Sequence, residues 1–148
     1  MSRTVTIIAF VFLILLTGVL QLQAQFTIHA ASDEAVAGWT RMQVNNHAVW
    51  INPAVSLTSA DILRAEPSKR PDGSAVVNVV FTDTGATKMR DLSKAQKDKL
   101  IAMVLDGKVI FAPKVRAEIS KEALVTGNNP AGLSPGDVQR IVGSVNKR

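Results

Sequence analysis

The sequence predicts an α+β domain, in which two helices pack on a small antiparallel or mixed sheet. Three observations favour this fold class. Short β-branched runs are separated by turn signals, an Asp-Gly pair joins two apolar runs, and two segments have the spacing of amphipathic helices. The predicted order is β–β–α–β–β–β–α, and most of the strand connections are hairpin-like.

The first 24 residues have the composition of an export signal. Arg3 precedes an unbroken apolar run from Ile7 to Leu16, and Leu22-Gln23-Ala24 resembles a cleavage site. Residues 5–22 also have the length of a short membrane anchor, so a cleaved signal peptide and an uncleaved anchor both remain open. Either alternative places the remaining residues in the periplasm or another extracytoplasmic compartment.

Residues 25–43 are polar and Ala-rich, and we interpret them as a tether or poorly ordered lead-in to a domain at 44–148. Because the chain has no cysteine, that domain needs an ordinary hydrophobic core. The net charge is +5, but the Lys and Arg residues over 88–99 are mixed with acids, as on a solvated face. With five Phe, two Trp and no Tyr, nothing indicates a nucleic-acid surface.

The first predicted elements are two strands and a turn. Residues 47–53 (HAVWINP) alternate in polarity and stop at a proline, which predicts a short strand, at an edge of the sheet. The segment 56–69 (SLTSADILRAEPSK) carries too short a signal to assign. Residues 69–74 (KRPDGS) have the chemistry of a tight turn, and the β-branched run at 74–82 predicts a second strand.

A helix is predicted within residues 82–99, where the apolar residues become spaced three apart, as on one face of a helix. Asp83 or Thr84 is expected to cap it, and Gly85 weakens its first turn. Its buried stripe consists of Ala86, Met89 and Leu92.

A hairpin follows, with Asp106-Gly107 as a type I′ turn between the apolar runs 100–105 and 109–112. Pro113 and the alternating residues 114–119 are typical of a protected strand edge. The candidate partner contacts are the charged residues of that alternation, Lys114, Arg116 and Glu118.

The last predicted elements are a short strand ending in a Gly/Asn/Pro loop, within 122–133, and a helix. Ser134 is expected to cap this helix, with Pro135 in its first turn. We expect it to dock on the strands of the hairpin through a stripe of Val138, Ile141, Val142 and Val145.

Reactive side chains are few. Ser134 lies in a G-x-S-x-G sequence, but neither His29 nor His47 follows it, so an exported hydrolase is the weakest alternative. His47 has no second ligand at metal spacing, and no catalytic, cofactor or metal site is predicted. The carboxylates that could form an acid/base pair are Asp83, Asp106 and Glu118. Each is already explained by structure, as a helix cap, a turn residue and the solvent-facing residue of an alternating strand. Core packing is expected for Trp50, and an interface or membrane-surface contact for Trp39.

The residues from Val76 to Asn128 resemble the head subdomain of the large periplasmic domain of SecD, an accessory subunit of the Sec preprotein translocase. The resemblance covers about 100 residues from Val44 onward and implies a SecD head-like fold of ferredoxin-like character. Its landmarks, in order, are Phe81-Thr82 with Gly85, Leu105-Asp106-Gly107, Ala112-Pro113 and Gly127-Asn128.

The sequence departs from that family in lacking the SecD base subdomain and the several membrane helices, and in having Lys97-Asp98-Lys99 where a glycine is expected. The resemblance therefore implies the fold and the extracytoplasmic location, without motor activity. It suggests a non-enzymatic interaction domain that assists export by contacting polypeptide or a Sec translocon or other membrane protein. An envelope structural or ligand-binding domain unrelated to Sec is the alternative.

Overall fold

A computed structural model describes residues 25–146, so the predicted signal peptide or anchor lies outside the described residues. The elements are β1 Phe26–Ser32, β2 Thr40–Val44, β3 His47–Ile51, β4 Leu57–Thr58, a 3-10 turn Ser59–Asp61, β5 Ile62–Lys69, β6 Ala75–Phe81, α1 Asp83–Ala95, β7 Leu100–Leu105, β8 Lys108–Phe111, β9 Glu122–Val125 and α2 Pro135–Asn146. Among these residues, no helix is both long and apolar enough to cross a membrane.

The strands form two sheets. The larger has the order β2-β3-β1-β7-β8, with β4 also paired to β1, and the smaller has the order β5-β6-β9. Each pairing between these strands is antiparallel. Two helices and predominantly antiparallel sheets confirm the α+β prediction.

The predicted tether contains the central strand of the larger sheet. Strand β1 pairs with β7 in continuous register, from Phe26 opposite Leu105 to Ala31 opposite Leu100. Phe26, Ile28 and Ala31 are almost completely buried. The prediction of a poorly ordered lead-in was therefore wrong for β1, and it was wrong also for β2. Strand β1 is ordered by pairing with β3 and the distant β7, and β2 by pairing with the adjacent β3, neither of which their own weak pattern indicated.

Strand β3 is confirmed, although its predicted place at a sheet edge is wrong. It lies between β1 and β2, and β2 is the edge strand. The β2–β3 hairpin turns at Asn45 and Asn46, which have φ of 46° and 64°. Asparagine tolerates this left-handed region better than most residues, and two such residues in succession match a type I′ turn.

The main core lies between the two sheets and the two helices. It includes Met89 of α1, Ile101 of β7 and Ile141 of α2, each with no exposed surface. Helix α2 packs chiefly on β5 and β6 and makes only a smaller contact with β7. The expectation that it docks on the β7–β8 hairpin was therefore wrong. Strand β6 presents Val77 and Val79 to this core and so supplies the apolar surface that the α2 stripe needs.

The N-cap of helix α1 lies one residue before the first of the two predicted caps. The Thr82 hydroxyl accepts a hydrogen bond from the Gly85 amide at 3.0 Å, so Thr82 is the N-cap rather than Asp83 or Thr84. Gly85 is buried against the backbone carbonyl of Asp61, and a Cβ at this position would overlap that oxygen. The glycine permits a close approach between α1 and the 3-10 turn.

The β7–β8 hairpin has the predicted turn. Asp106 has φ of 51° and Gly107 has φ of 78°, which confirms positive φ at both central residues. The chain beyond Pro113, however, is not the predicted alternating strand. Its backbone makes only isolated bridges, from Val115 to Lys97 and from Lys114 to Leu100. Val115 is buried and Ile119 packs against the main core, whereas the charged residues between them are exposed, so the alternating pattern reflects two anchored residues rather than a strand.

Candidate functional site

An open cleft lies between the β2–β3 hairpin and the region where β7 begins and β8 ends. Its volume is about 570 Å³. The lining residues are Asp33, Val44, Asn45, His47, Ala48, Val49, Trp50, Leu100, Ala112 and Asn128. The cleft thus combines apolar side chains with a small number of polar groups, as ligand-binding sites usually do.

The floor of the cleft belongs to a second apolar cluster, separate from the main core. Side chains alternate between the two faces of a strand, so β7 contributes Ile101 and Met103 to the main core and Ala102 and Val104 to this cluster. The buried members of the cluster are Ala31, Val49, Ile51, Ala102, Val104 and Val109. Partly buried Val44, Leu100 and Ala112 pack against it and reach the cleft.

Asn128 links the two sides of the cleft. Its side-chain Oδ1 accepts a hydrogen bond from the Ala112 amide at 3.1 Å, after the end of β8. Its backbone carbonyl accepts a second from the Asn45 side chain at 2.6 Å, at the β2–β3 turn. Gly127, with φ of 73°, gives the chain the left-handed conformation that leads into this residue. The Gly127-Asn128 landmark therefore has a structural role at the cleft.

The rim of the cleft carries Trp50, His47 and Asp33. Trp50 is only half-buried, so the expectation that it packs in a core is not met. It stands opposite Ser32 in β1 and Arg41 in β2. An aromatic ring that carries an N–H donor, at the rim of a cleft with an apolar floor, suits contact with a partner that is itself partly apolar.

The other residues considered for chemistry have structural contacts away from the cleft. The Ser134 hydroxyl accepts a hydrogen bond from the Asp137 amide at 3.1 Å, as an N-cap does. Asp106 Oδ1 accepts one from the Gln25 amide at 2.9 Å. Buried His29 contacts the Asn52 carbonyl through Nδ1 at 2.8 Å. Within residues 25–146, no group of three or more His, Asp or Glu side chains is arranged to hold a metal ion.

The predicted partner contacts Lys114, Arg116 and Glu118 do not line the cleft. Pro113 accepts a hydrogen bond from the Ile101 amide through its carbonyl at 3.1 Å. The exposed residues Lys114 and Arg116 follow it, and Glu118 forms an ion pair with Lys94 at 3.6 Å. The cleft residues Asn45, Ala48 and Trp50 were not predicted as a site. The Asn45-Asn46 pair, flanked by alternating residues, was the signal available for their hairpin.

Solved structures share this fold. One, described as "Structure and function of a membrane component SecDF that enhances protein export", superposes with a TM-score of 0.62 over 83% of this chain and 62% of that one, at 21% identity. A second, described as "Crystal structure of SecDF in Super-membrane-facing form", has a TM-score of 0.61, again over 83% of this chain but only 18% of that one, at 22% identity.

Curated relatives are similar at the sequence level. The protein translocase subunit SecD of Acidaminococcus fermentans is 37% identical over 76 residues, which are 51% of this chain and 18% of that protein. The protein translocase subunit SecDF of Thermus thermophilus is 35% identical over 72 residues, 48% of this chain and 10% of that protein. This chain therefore spans less than a fifth of either relative's length.

The family match covers more of the chain than either relative does. Residues 36–132 match the family described as "SecDF, P1 head subdomain". That range contains β2 to β9 and α1, and with them most of the residues that line the cleft. The chain belongs to the SecDF P1 head subdomain family.

Proposed function

We propose that this chain is an extracytoplasmic, non-enzymatic interaction domain that assists protein export by contacting extended polypeptide at the cleft beside Trp50. Family membership supports the link to export, because the relatives are protein translocase subunits. The single observation that carries the contact is the open cleft with its apolar floor, which lies outside the main core and is lined mostly by residues of the family region.

The geometry of the larger sheet suits an extended ligand. Strands β2 and β8 are its two edges, and the cleft lies between them. An edge strand offers backbone groups that bind polypeptide with little sequence preference, while pockets accept alternate side chains. The partly buried Val44, Leu100 and Ala112 would receive an apolar side chain, and Trp50 would cover it.

Two other functions remain as alternatives. An envelope domain that binds a ligand unrelated to Sec would use the same cleft, and a membrane protein of the translocon could occupy it in place of an exported polypeptide. A hydrolase centred on Ser134 is less well supported, because that hydroxyl caps α2 and its residue lies outside the cleft.

Site-specific crosslinking in cells tests the proposal. A photoreactive amino acid replaces Ala48 in the cleft, and a matched control replaces exposed Ser68 in β5. We expect exported polypeptides to be captured from position 48 and not from position 68. Capture of translocon subunits alone at position 48 would favour the membrane-protein partner. If neither class is captured, the link to export fails.

The extracytoplasmic location has its own test. Fractionation before and after a carbonate wash separates an anchored chain from a released one, and the mass of the mature protein shows whether residues 1–24 are removed. We expect the chain outside the cytoplasm in both cases. Recovery in the cytoplasm with its N-terminus intact would contradict the proposed location.

A further inference from the structure

A basic surface forms where the end of α1 meets the chain after Pro113. The turn at 97–99 hydrogen-bonds to Val115, through the Asp98 amide at 2.9 Å and the Lys99 carbonyl at 2.8 Å. Lys114 bridges Leu100 in the same region. Two segments separated in sequence thus bring their charges together. We call this surface the basic patch, and its cations are Lys94, Lys97, Lys99, Lys114 and Arg116.

The positive charge of the basic patch is largely uncompensated. The two segments that form it, residues 94–99 and 114–118, contain these five cations and two carboxylates, Asp98 and Glu118. Lys94 pairs with Glu118 at 3.6 Å, but across residues 25–146 the other four cations have no ion-pair partner. All five are exposed. Along residues 88–99 the charges are mixed, but the fold brings the segment that carries Lys114 and Arg116 beside residues 97–100.

We propose that the basic patch docks on a bilayer surface that carries anionic phospholipid. Charge complementarity selects this partner, since lysines near such a surface are attracted by its negative potential. Four of the five cations are Lys, whose compact charge suits diffuse headgroup contact better than the two-pronged binding typical of Arg. This surface is distinct from the cleft and does not depend on the proposed function.

Depth-dependent fluorescence quenching tests the docking. The chain has no cysteine, so one introduced cysteine labels a single site in the full chain. A fluorophore goes on Ala117→Cys at the basic patch or on Ser68→Cys in β5, both exposed positions. Each labelled chain is mixed with vesicles of phosphatidylcholine, with or without phosphatidylglycerol, that carry a lipid-attached quencher. Because the comparison is site-specific, membrane binding by residues 1–24 does not obscure it.

We expect quenching at position 117 that requires phosphatidylglycerol and weakens at high salt, with little quenching at position 68. The triple variant Lys97→Gln, Lys99→Gln and Lys114→Gln should weaken docking roughly 100-fold. The matched control neutralises three exposed lysines elsewhere, Lys69, Lys108 and Lys121, and should have a much smaller effect. Circular dichroism verifies that both triple variants fold.

Three outcomes would overturn the proposal. The first is equal quenching at the two labelled sites, and the second is quenching at position 117 that is independent of phosphatidylglycerol. The third is binding of a soluble acidic polypeptide, such as polyglutamate, through the same lysines without any docking on vesicles, which would assign the basic patch to a protein partner instead.

Discussion

The two faces of the larger sheet differ in what lies beside their buried side chains. The face that carries Ile101 and Met103 is sealed by the smaller sheet and both helices, and these side chains are almost completely buried. On the other face Ala102 and Val104 are buried as well, in the second apolar cluster. That cluster, however, borders an open cleft through the partly buried Val44, Leu100 and Ala112. The difference suggests a division of roles, in which the first face supplies stability and the second is available for binding.

The largest expected effect comes from truncating a buried side chain in the main core, on the face of the sheet that the helices cover. Ile101 has no exposed surface, so Ile101→Ala leaves a cavity and should lower the free energy of unfolding by about 2–5 kcal/mol. Denaturant unfolding measures this loss. Trp50→Ala at the open face is the comparison and should cost clearly less, because Trp50 is only half-buried. Equal losses would contradict the distinction between the faces.

The second largest loss of stability is expected at the Asp106-Gly107 turn, which joins β7 and β8. Gly107→Val places a β-branched side chain at φ of 78°, and the strain should cost about 1–3 kcal/mol and splay β7 from β8. The midpoint of thermal unfolding measures it. No neighbouring atom lies within 4 Å of a Cβ built at this position, so the loss would come from backbone strain rather than a clash. Unchanged stability would count against the turn assignment.

Asn128→Ala should have a moderate effect that is confined to the cleft. It removes the acceptor of the Ala112 amide and should cost about 1–2 kcal/mol. Faster amide hydrogen exchange at Ala112 would report the local opening. Asn128→Asp is the matched control, because it retains an oxygen acceptor and should largely preserve protection. If both variants exchange like the wild type, Asn128 does not hold the cleft together.

The smallest effect is expected at the exposed turn between β5 and β6, in the smaller sheet. Hydrogen bonds from the Ser74 hydroxyl and then from its amide lower the pKa of Asp72 below its ordinary value. A lowered folded-state pKa stabilises the fold above the ordinary carboxyl pKa, and this contribution is lost as pH falls through the lowered value. Asp72→Asn should therefore slightly reduce the acid-dependent part of the unfolding free energy. An identical pH profile in the variant would refute the contribution.

Local signals made part of the fold predictable from sequence. The Asp106-Gly107 turn, the β-branched run of β6 and the Ser134-Pro135 start of α2 each depend on residues close together in the chain. Turn and cap preferences act over a few residues, so their patterns are readable without the fold. The family resemblance rested on landmarks of this kind and is confirmed.

The missed features depend on contacts between distant segments. Strand β1 has an alternating start, Phe26 to His29, but its order comes from pairing with β3 and β7. The docking surface of α2 was misplaced because β5 has little apolar periodicity of its own. The cleft likewise needs Asn128 to lie beside Asn45, 83 positions apart. Neither the secondary-structure propensity of a segment nor the spacing of its apolar residues predicts which distant segment it will contact.

The central claim, that the cleft beside Trp50 receives extended polypeptide, can be tested by the fluorescence of that residue. The variant Trp39→Phe leaves Trp50 as the single tryptophan of the chain. Titration with a permanently unfolded, apolar-rich polypeptide should shift its emission to the blue and protect it from acrylamide, because the ring becomes desolvated. Saturable changes of this kind are the predicted result. Emission and quenching that stay constant, while the polypeptide binds elsewhere on the chain or not at all, would contradict the claim.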